Sequence, residues 1–155
     1  MQSIAEALES MLPAFSTLGE EEVPLTQSLG RYLCQDIVAV LDSPPFDNSA
    51  MDGYAVRAED VAGAAHGSAV RLPVRGESRA GGALPAPLEP RSACRIFTGA
   101  PMPAGADAVV IQEDTERSGA EVAVVEESRA GKHVRARGSD VRAGETLLRA
   151  GDRVW

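Results

Sequence analysis

The chain has 155 residues, a formal net charge of -8, and side chains that are 44% hydrophobic, 25% charged and only 4% aromatic. This balance excludes a disordered, collagen-like or coiled-coil chain, and with so few aromatic residues the core must be built mainly from Val, Leu, Ile and Ala. The acidity argues against nucleic acid and against an anionic membrane surface, because both repel such a chain at long range.

Ser3-x-x-Glu6 is a capping-box pattern, Ile4, Leu8, Met11, Leu12 and Phe15 follow at helical spacing, and Pro13 marks the helix end, so a short amphipathic helix is expected first. Glu20 to Leu25 reads as extended, Thr26 to Tyr32 as a second short helix despite Gly30, and Asp36 to Leu41 as a strand. From Ser43 onward short apolar alternations are broken by Gly and Pro. Expected strands run over 53–56, 69–74, 93–98, 108–112, 121–125, 132–137 and 145–148, with one or two helical turns over 57–62. Residues 81–87 read as a loop and Ser118-Gly119 as a hairpin turn.

Cys34 and Cys94 are isolated, with no paired or zinc-spaced partners, which fits a reducing compartment. No basic leader followed by an apolar stretch opens the chain, and no apolar run approaches the roughly 18 residues of a membrane span. A cytoplasmic protein, neither exported nor membrane-spanning, is the expectation. Charge is uneven: residues 129–155 carry seven bases against three acids, while residues 1–46 carry one base against seven acids. A local anion site near the C-terminal end is compatible with that distribution.

Three segments are candidates for chemistry. The densest polar cluster runs from Ser43 to Ala55, where Asp47, Asn48, Ser49 and Asp52 either cap turns or serve a site. It is no EF-hand, since Met51 and Asp52 fall where an oxygen ligand and the glycine belong, and it lacks the context of an aspartic protease. Next, Ile96 to Val110 is a strand, a Gly/Pro-rich turn and a strand, with Thr98 either offering its hydroxyl to a ligand or bonding its own turn. No Ser/His/Asp or Cys/His set accompanies it, and His66 and His133 read as solvated surface. Third, an extended Lys132 to Arg137 would align His133, Arg135 and Arg137 on one face, either as an oxyanion site or as a solvated strand face, with Asp140 just beyond. Nucleic acid is disfavoured there, because no aromatic residues interleave to stack bases.

The run Pro44-Pro45-Phe46-Asp47-Asn48-Ser49-Ala50-Met51-Asp52-Gly53-Tyr54-Ala55-Val56, with Phe97-Thr98-Gly99-Ala100-Pro101-Met102-Pro103 and Arg137-Gly138-Ser139-Asp140, resembles the N-terminal region of the molybdopterin molybdenumtransferases, the MoeA and gephyrin E-domain family. The similarity covers essentially the whole chain. It implies a β-rich α+β fold: a mixed lobe with a short N-terminal helix (1–46 plus 137–155, discontinuous and dimer-forming), interrupted by an inserted all-β lobe (47–136) of coiled or bifurcated sheets. It implies molybdenum cofactor biosynthesis, in which molybdate is inserted into adenylylated molybdopterin and AMP is released, with Mg2+ as cofactor.

By the same resemblance Asp52, Thr98 and Asp140 match activity-linked positions, and Asp52 and Asp140 hold or orient magnesium; Arg135 and Arg137 are candidates for anion contacts from charge alone, and Ser49 is expected to bind substrate with them. The implied partners are a second copy of the chain in a homodimer and, upstream, the molybdopterin adenylyltransferase. Family members continue into a pterin-binding domain and a small C-terminal domain. The chain is therefore expected to supply half of a site completed across a dimer and to be inactive alone, with a non-catalytic dimerisation or scaffold module as the alternative.

Overall fold

The computed structural model describes residues 3–16 and 18–155. Helix α1 spans Ile4–Met11, opened by the expected capping box: Ser3 Oγ accepts from the Glu6 amide and Glu6 Oε2 accepts from the Ser3 amide. Pro13 sits in the 3-10 turn Leu12–Ala14 that follows. The strands are β1 (Ile37–Val38), β2 (Asn48–Ser49), β3 (Gly53–Val56), β4 (Val70–Ser78), β5 (Ala93–Ile96), β6 (Ala108–Ile111), β7 (Thr115–Ser118), β8 (Glu121–Val124), β9 (Val134–Arg135) and β10 (Thr146–Leu148). One short helix and a predominance of strands agree with the β-rich class expected.

The chain divides into two compact units, residues 1–37 with 146–155 and residues 38–145. In the first, residues 30–33 and 151–154 pair as antiparallel backbone: Gly30 N–H donates to Val154 O, Val154 N–H to Arg31 O, and Leu33 N–H to Asp152 O. The helix expected over Thr26 to Tyr32 is absent. A 3-10 turn, Leu25–Gln27, takes its place, because Gly30 adopts φ +81° and turns the backbone into the pairing with Val154. No residue of α1 is buried, and Ile4, Leu8, Met11, Leu12 and Phe15 are all exposed. The expectation for a first lobe also took in Met1, Gln2 and Thr17, which lie outside the described residues.

In the second unit a six-stranded sheet runs in the order β6-β3-β5-β4-β8-β7. All its neighbours are antiparallel except β4 and β5. Strand β4 serves two partners in succession: Val70 to Pro73 pair with β8, and Val74 to Ser78 with β5. A register shift between Val74 and Glu77 bends it, as an extra residue in one strand does.

Both faces of the central strands are covered. Tyr54, Val56, Leu72, Ala93, Val110, Val122 and Val124 pack on one side, and Ala55, Leu88, Cys94, Ile96, Ala100 and Val109 on the other. Period-2 alternation produces this division directly, since Ala55 and Val109 face opposite to Tyr54 and Val110. A second small sheet pairs β2 with β9.

Two expectations change here. The strand over Lys132 to Arg137 shrinks to Val134–Arg135, because His133 takes φ +59° and breaks the extension, so the proposed alignment of His133 with Arg135 and Arg137 does not form. Strand β7, Thr-Glu-Arg-Ser, was not anticipated: it is a polar edge strand with no apolar alternation to announce it.

Gly53 is required by space. A Cβ there would fall on the Val110 carbonyl oxygen, well inside van der Waals contact, whereas one at Gly67 would meet nothing. Gly53→Ala is therefore expected to cost about 3 kcal/mol, and Gly67→Ala within about 0.5 kcal/mol, read as shifts in the urea midpoint.

Candidate functional site

The site is built on β2 and on the segments bonded to it. Ser49 N–H donates to Ala100 O at 3.0 Å and Ser49 O accepts from Gly99 N–H at 2.8 Å, while Ala50 N–H donates to His133 O at 2.9 Å. On the other edge, Asn48 and Ser49 are in register with Arg135 and Val134. All three polar segments singled out in the sequence thus meet at a strand only two residues long. The Ser49 hydroxyl is fully buried and bonds both the N–H and the carbonyl of Met51, shaping the turn that leads to Asp52. Asp47 caps a distant backbone group, with its Oδ1 accepting from Arg137 N–H at 2.7 Å.

Asp52 and Thr98, 46 residues apart, are in direct contact. Asp52 Oδ1 accepts from the Thr98 amide at 2.8 Å and from the Thr98 hydroxyl at 2.7 Å. Neither bond uses Oδ2. Asp52 is half-buried and Thr98 exposed. The Thr98 amide, then its hydroxyl, hold the Asp52 carboxyl below its ordinary pKa against a smaller opposing effect of burial, with the charge of Arg95 adding least.

Asp140 is engaged differently: its Oδ2 accepts from Arg135 Nη2 at 2.6 Å and its Oδ1 from Ser139 Oγ at 3.2 Å. The Arg135 hydrogen bond is the main reason its pKa is lowered. Arg137 pairs with Asp42, whose carboxyl is lowered first by the Ala143 amide and then by Arg137. Arg135 and Arg137 are therefore bound to separate carboxylates. Among the described residues no group of three or more His, Cys, Asp or Glu side chains is arranged to hold a metal ion. Cys94 is buried, which pushes its thiol pKa up and removes it as a nucleophile.

Arg95 and Gln112, which the sequence did not single out, frame this pair. Arg95 Nη1 donates to Gly53 O at 3.1 Å and Nη2 to Gln112 Oε1 at 2.9 Å, while Gln112 N–H donates to Asp52 O at 3.0 Å. The only sequence signal for Arg95 is an arginine interrupting an otherwise buried strand.

A family profile described as the MoeA N-terminal region (domain I and II) matches residues 2–155. The chain belongs to this MoeA N-terminal family. It is 51% identical over 132 residues to molybdopterin molybdenumtransferase 2 of Mycobacterium tuberculosis, covering 85% of this chain and 33% of that protein. To the molybdopterin molybdenumtransferase of Synechococcus elongatus it is 41% identical over 155 residues, covering 98% of this chain and 38% of that protein. Among solved structures, a molybdopterin biosynthesis MoeA protein from Pyrococcus horikoshii OT3 superposes with a TM-score of 0.87 at 36% identity, covering 97% of this chain and 40% of that one. The chain spans about a third of the length of the curated relatives it matches.

The lowered carboxyls of this MoeA N-terminal region have a consequence for acid stability. A carboxyl whose folded pKa lies below its unfolded one adds stability above the unfolded value, near pH 4, and loses it as pH falls through the folded value. The urea midpoint is expected to be flat from pH 7 to about pH 5 and to drop below about pH 4. Asp52→Ala should lower the neutral-pH plateau and make the acid drop shallower, because one of the linked groups is gone.

Proposed function

We propose that this chain is the N-terminal part of a molybdopterin molybdenumtransferase acting in molybdenum cofactor biosynthesis, where molybdate is inserted into adenylylated molybdopterin with release of AMP. The observation that carries the reading is the Asp52–Thr98 pair: two donors fix one carboxylate oxygen and leave the other out of both bonds. Identity of 51% and 41% to proteins named as molybdopterin molybdenumtransferases supports it.

In this reading Asp52 supplies one carboxylate oxygen to Mg2+. The donor set fits a shared ion rather than a resident one, since magnesium commonly takes one or two carboxylates plus substrate phosphates and water, and the described residues build no complete cage. When bound, the ion neutralises charge on the pyrophosphate and molybdate oxygens. Thr98 keeps Asp52 ionised and aligned.

Asp140 accepts from Arg135 and Ser139 and orients Arg135 while that pair holds; when the pair opens, Asp140 would help Asp52 hold magnesium. Arg135 and Asp140 are each about half exposed, and exposed ion pairs are weak enough to open, whereas Arg137 is exposed but its partner Asp42 is largely covered. Arg135 can therefore turn from Asp140 to a substrate anion more readily than Arg137 can from Asp42. Ser49 enters through the turn it shapes ahead of Asp52.

The protein works as a homodimer in this proposal, each copy supplying half a site to the pterin-binding domain of the other. Ile4, Leu8, Met11, Leu12 and Phe15, exposed by 51–83%, give the first unit an apolar face suited to a second copy. The molybdopterin adenylyltransferase supplies the activated substrate, and the cytoplasm is the compartment. Among the described residues no helix is long and apolar enough to cross a membrane.

A non-catalytic dimerisation or scaffold module is the competing reading, favoured by the same apolar face. Asp52→Ala in the full-length protein separates the two. Folding and sedimentation as a dimer should persist while cofactor formation falls about 100-fold or more, and unchanged cofactor formation would leave the scaffold reading in possession. Replacing Leu8 by Glu should convert the dimer to monomer in sedimentation; a dimer that persists would move the interface away from α1.

A further inference from the structure

We infer that Arg95 is a positioning residue for the Asp52–Thr98 pair, clamping the backbone on either side of it. The inference rests on the proposed role of Asp52 and names a residue on which that role depends. Strands β3 and β5 put Tyr54 directly opposite Arg95, and the guanidinium lies 5.2 Å from the Tyr54 ring centroid. Phe97, two residues on and on the same side of the extended backbone, has its ring centroid 4.7 Å from the same guanidinium.

Arg95 thus stacks on the residue two after Asp52 and on the residue immediately before Thr98. Its two remaining arms complete the clamp. Nη1 holds the Gly53 carbonyl, and Nη2 holds the Gln112 side chain, while the backbone N–H of Gln112 donates to the Asp52 carbonyl. Of the two carbonyls that follow the Asp52 side chain, Arg95 thus holds that of Gly53 directly and braces the residue whose backbone holds that of Asp52.

Arginine suits this task in a way lysine does not. A guanidinium presents donors in a rigid fork and stacks flat on aromatic rings at the same time, whereas an ammonium is a strongly hydrated point charge. Arg79, 5.7 Å from the Phe97 ring centroid, is itself paired with Glu77 and makes no bond to Gly53 or Gln112. The clamp is specific to Arg95.

The test is the Thr98 amide in NMR spectra of this 155-residue chain, a readout that does not require enzymatic activity. Asp52→Ala sets the position of a Thr98 amide that has lost its carboxylate partner. Arg95→Met and Arg95→Lys should each move the Thr98 amide resonance toward that position and speed its exchange with solvent about tenfold or more. The amides of Val122 and Ala123 in the distant hairpin should stay unchanged. Gln112→Ala, at an exposed position, should give a smaller shift in the same direction and serves if the Arg95 variants do not fold.

A Thr98 amide unmoved by Arg95→Met, rescue by Arg95→Lys to the wild-type position, or an equal disturbance at Val122 would each overturn the clamp. An Asp52→Ala spectrum in which Thr98 does not move would overturn it too. If the Thr98 amide responds to Arg95 while Asp52→Ala leaves cofactor formation intact, the clamp stands and the proposed function fails. The reverse pattern leaves the function and removes the clamp.

Discussion

The amide and carbonyl of Ser49 bond to Ala100 and Gly99, and the next amide bonds to His133, so one two-residue strand is tied to the segments on both of its sides. Asn48 and Ser49 are buried, and their backbone groups have little water to fall back on, which makes these bonds obligatory rather than decorative. Everything chemical in the second unit is arranged relative to this strand. Three residues beyond it stands Asp52, and the Phe97–Ala100 turn that it holds carries Thr98. On its other edge β9 carries Arg135, and through Arg135 the carboxylate of Asp140.

Local neutralisation is the second constraint. In a chain of net charge -8, carboxylates facing an anionic substrate would repel it unless each were answered nearby. Asp52 is answered by two neutral donors from Thr98, Asp140 by a guanidinium, and Asp42 by an amide and a guanidinium. These are different chemical situations. A carboxylate held by neutral donors keeps its full charge and can bind a cation, whereas one paired to arginine is already compensated. On the proposed reading this difference assigns Asp52 to the metal and the Arg135–Asp140 pair to the substrate anion.

The β-rich class, the capped helix and every strand but β2 and β7 were legible in the sequence, most sharply where β3, β5, β6 and β8 are buried and strongly apolar, and the Ser3–Glu6 box is a local signal. Elements decided by long-range bonding were not. Residues 26–32 have helix-compatible side chains, but Gly30 is drawn into pairing with Val154 more than a hundred residues away. His133 breaks a strand that alternation alone favoured.

At the site, the segments were legible as polar clusters between prolines and glycines, and the resemblance singled out Asp52 and Thr98. That the two are partners was not, since nothing local links residues 46 positions apart. Arg95 was invisible for the same reason: its four contacts lie on Gly53, Tyr54, Phe97 and Gln112, and only the sheet register brings them to one side chain.

On the proposed reading this chain supplies half of a catalytic site. The direct test is cofactor synthesis from adenylylated molybdopterin, molybdate and magnesium, with the 155-residue chain alone and mixed with a separately expressed pterin-binding half. Synthesis in the mixture and none with the chain alone is the predicted result. Synthesis by the chain alone, or none in a mixture whose halves are shown to associate, would contradict it.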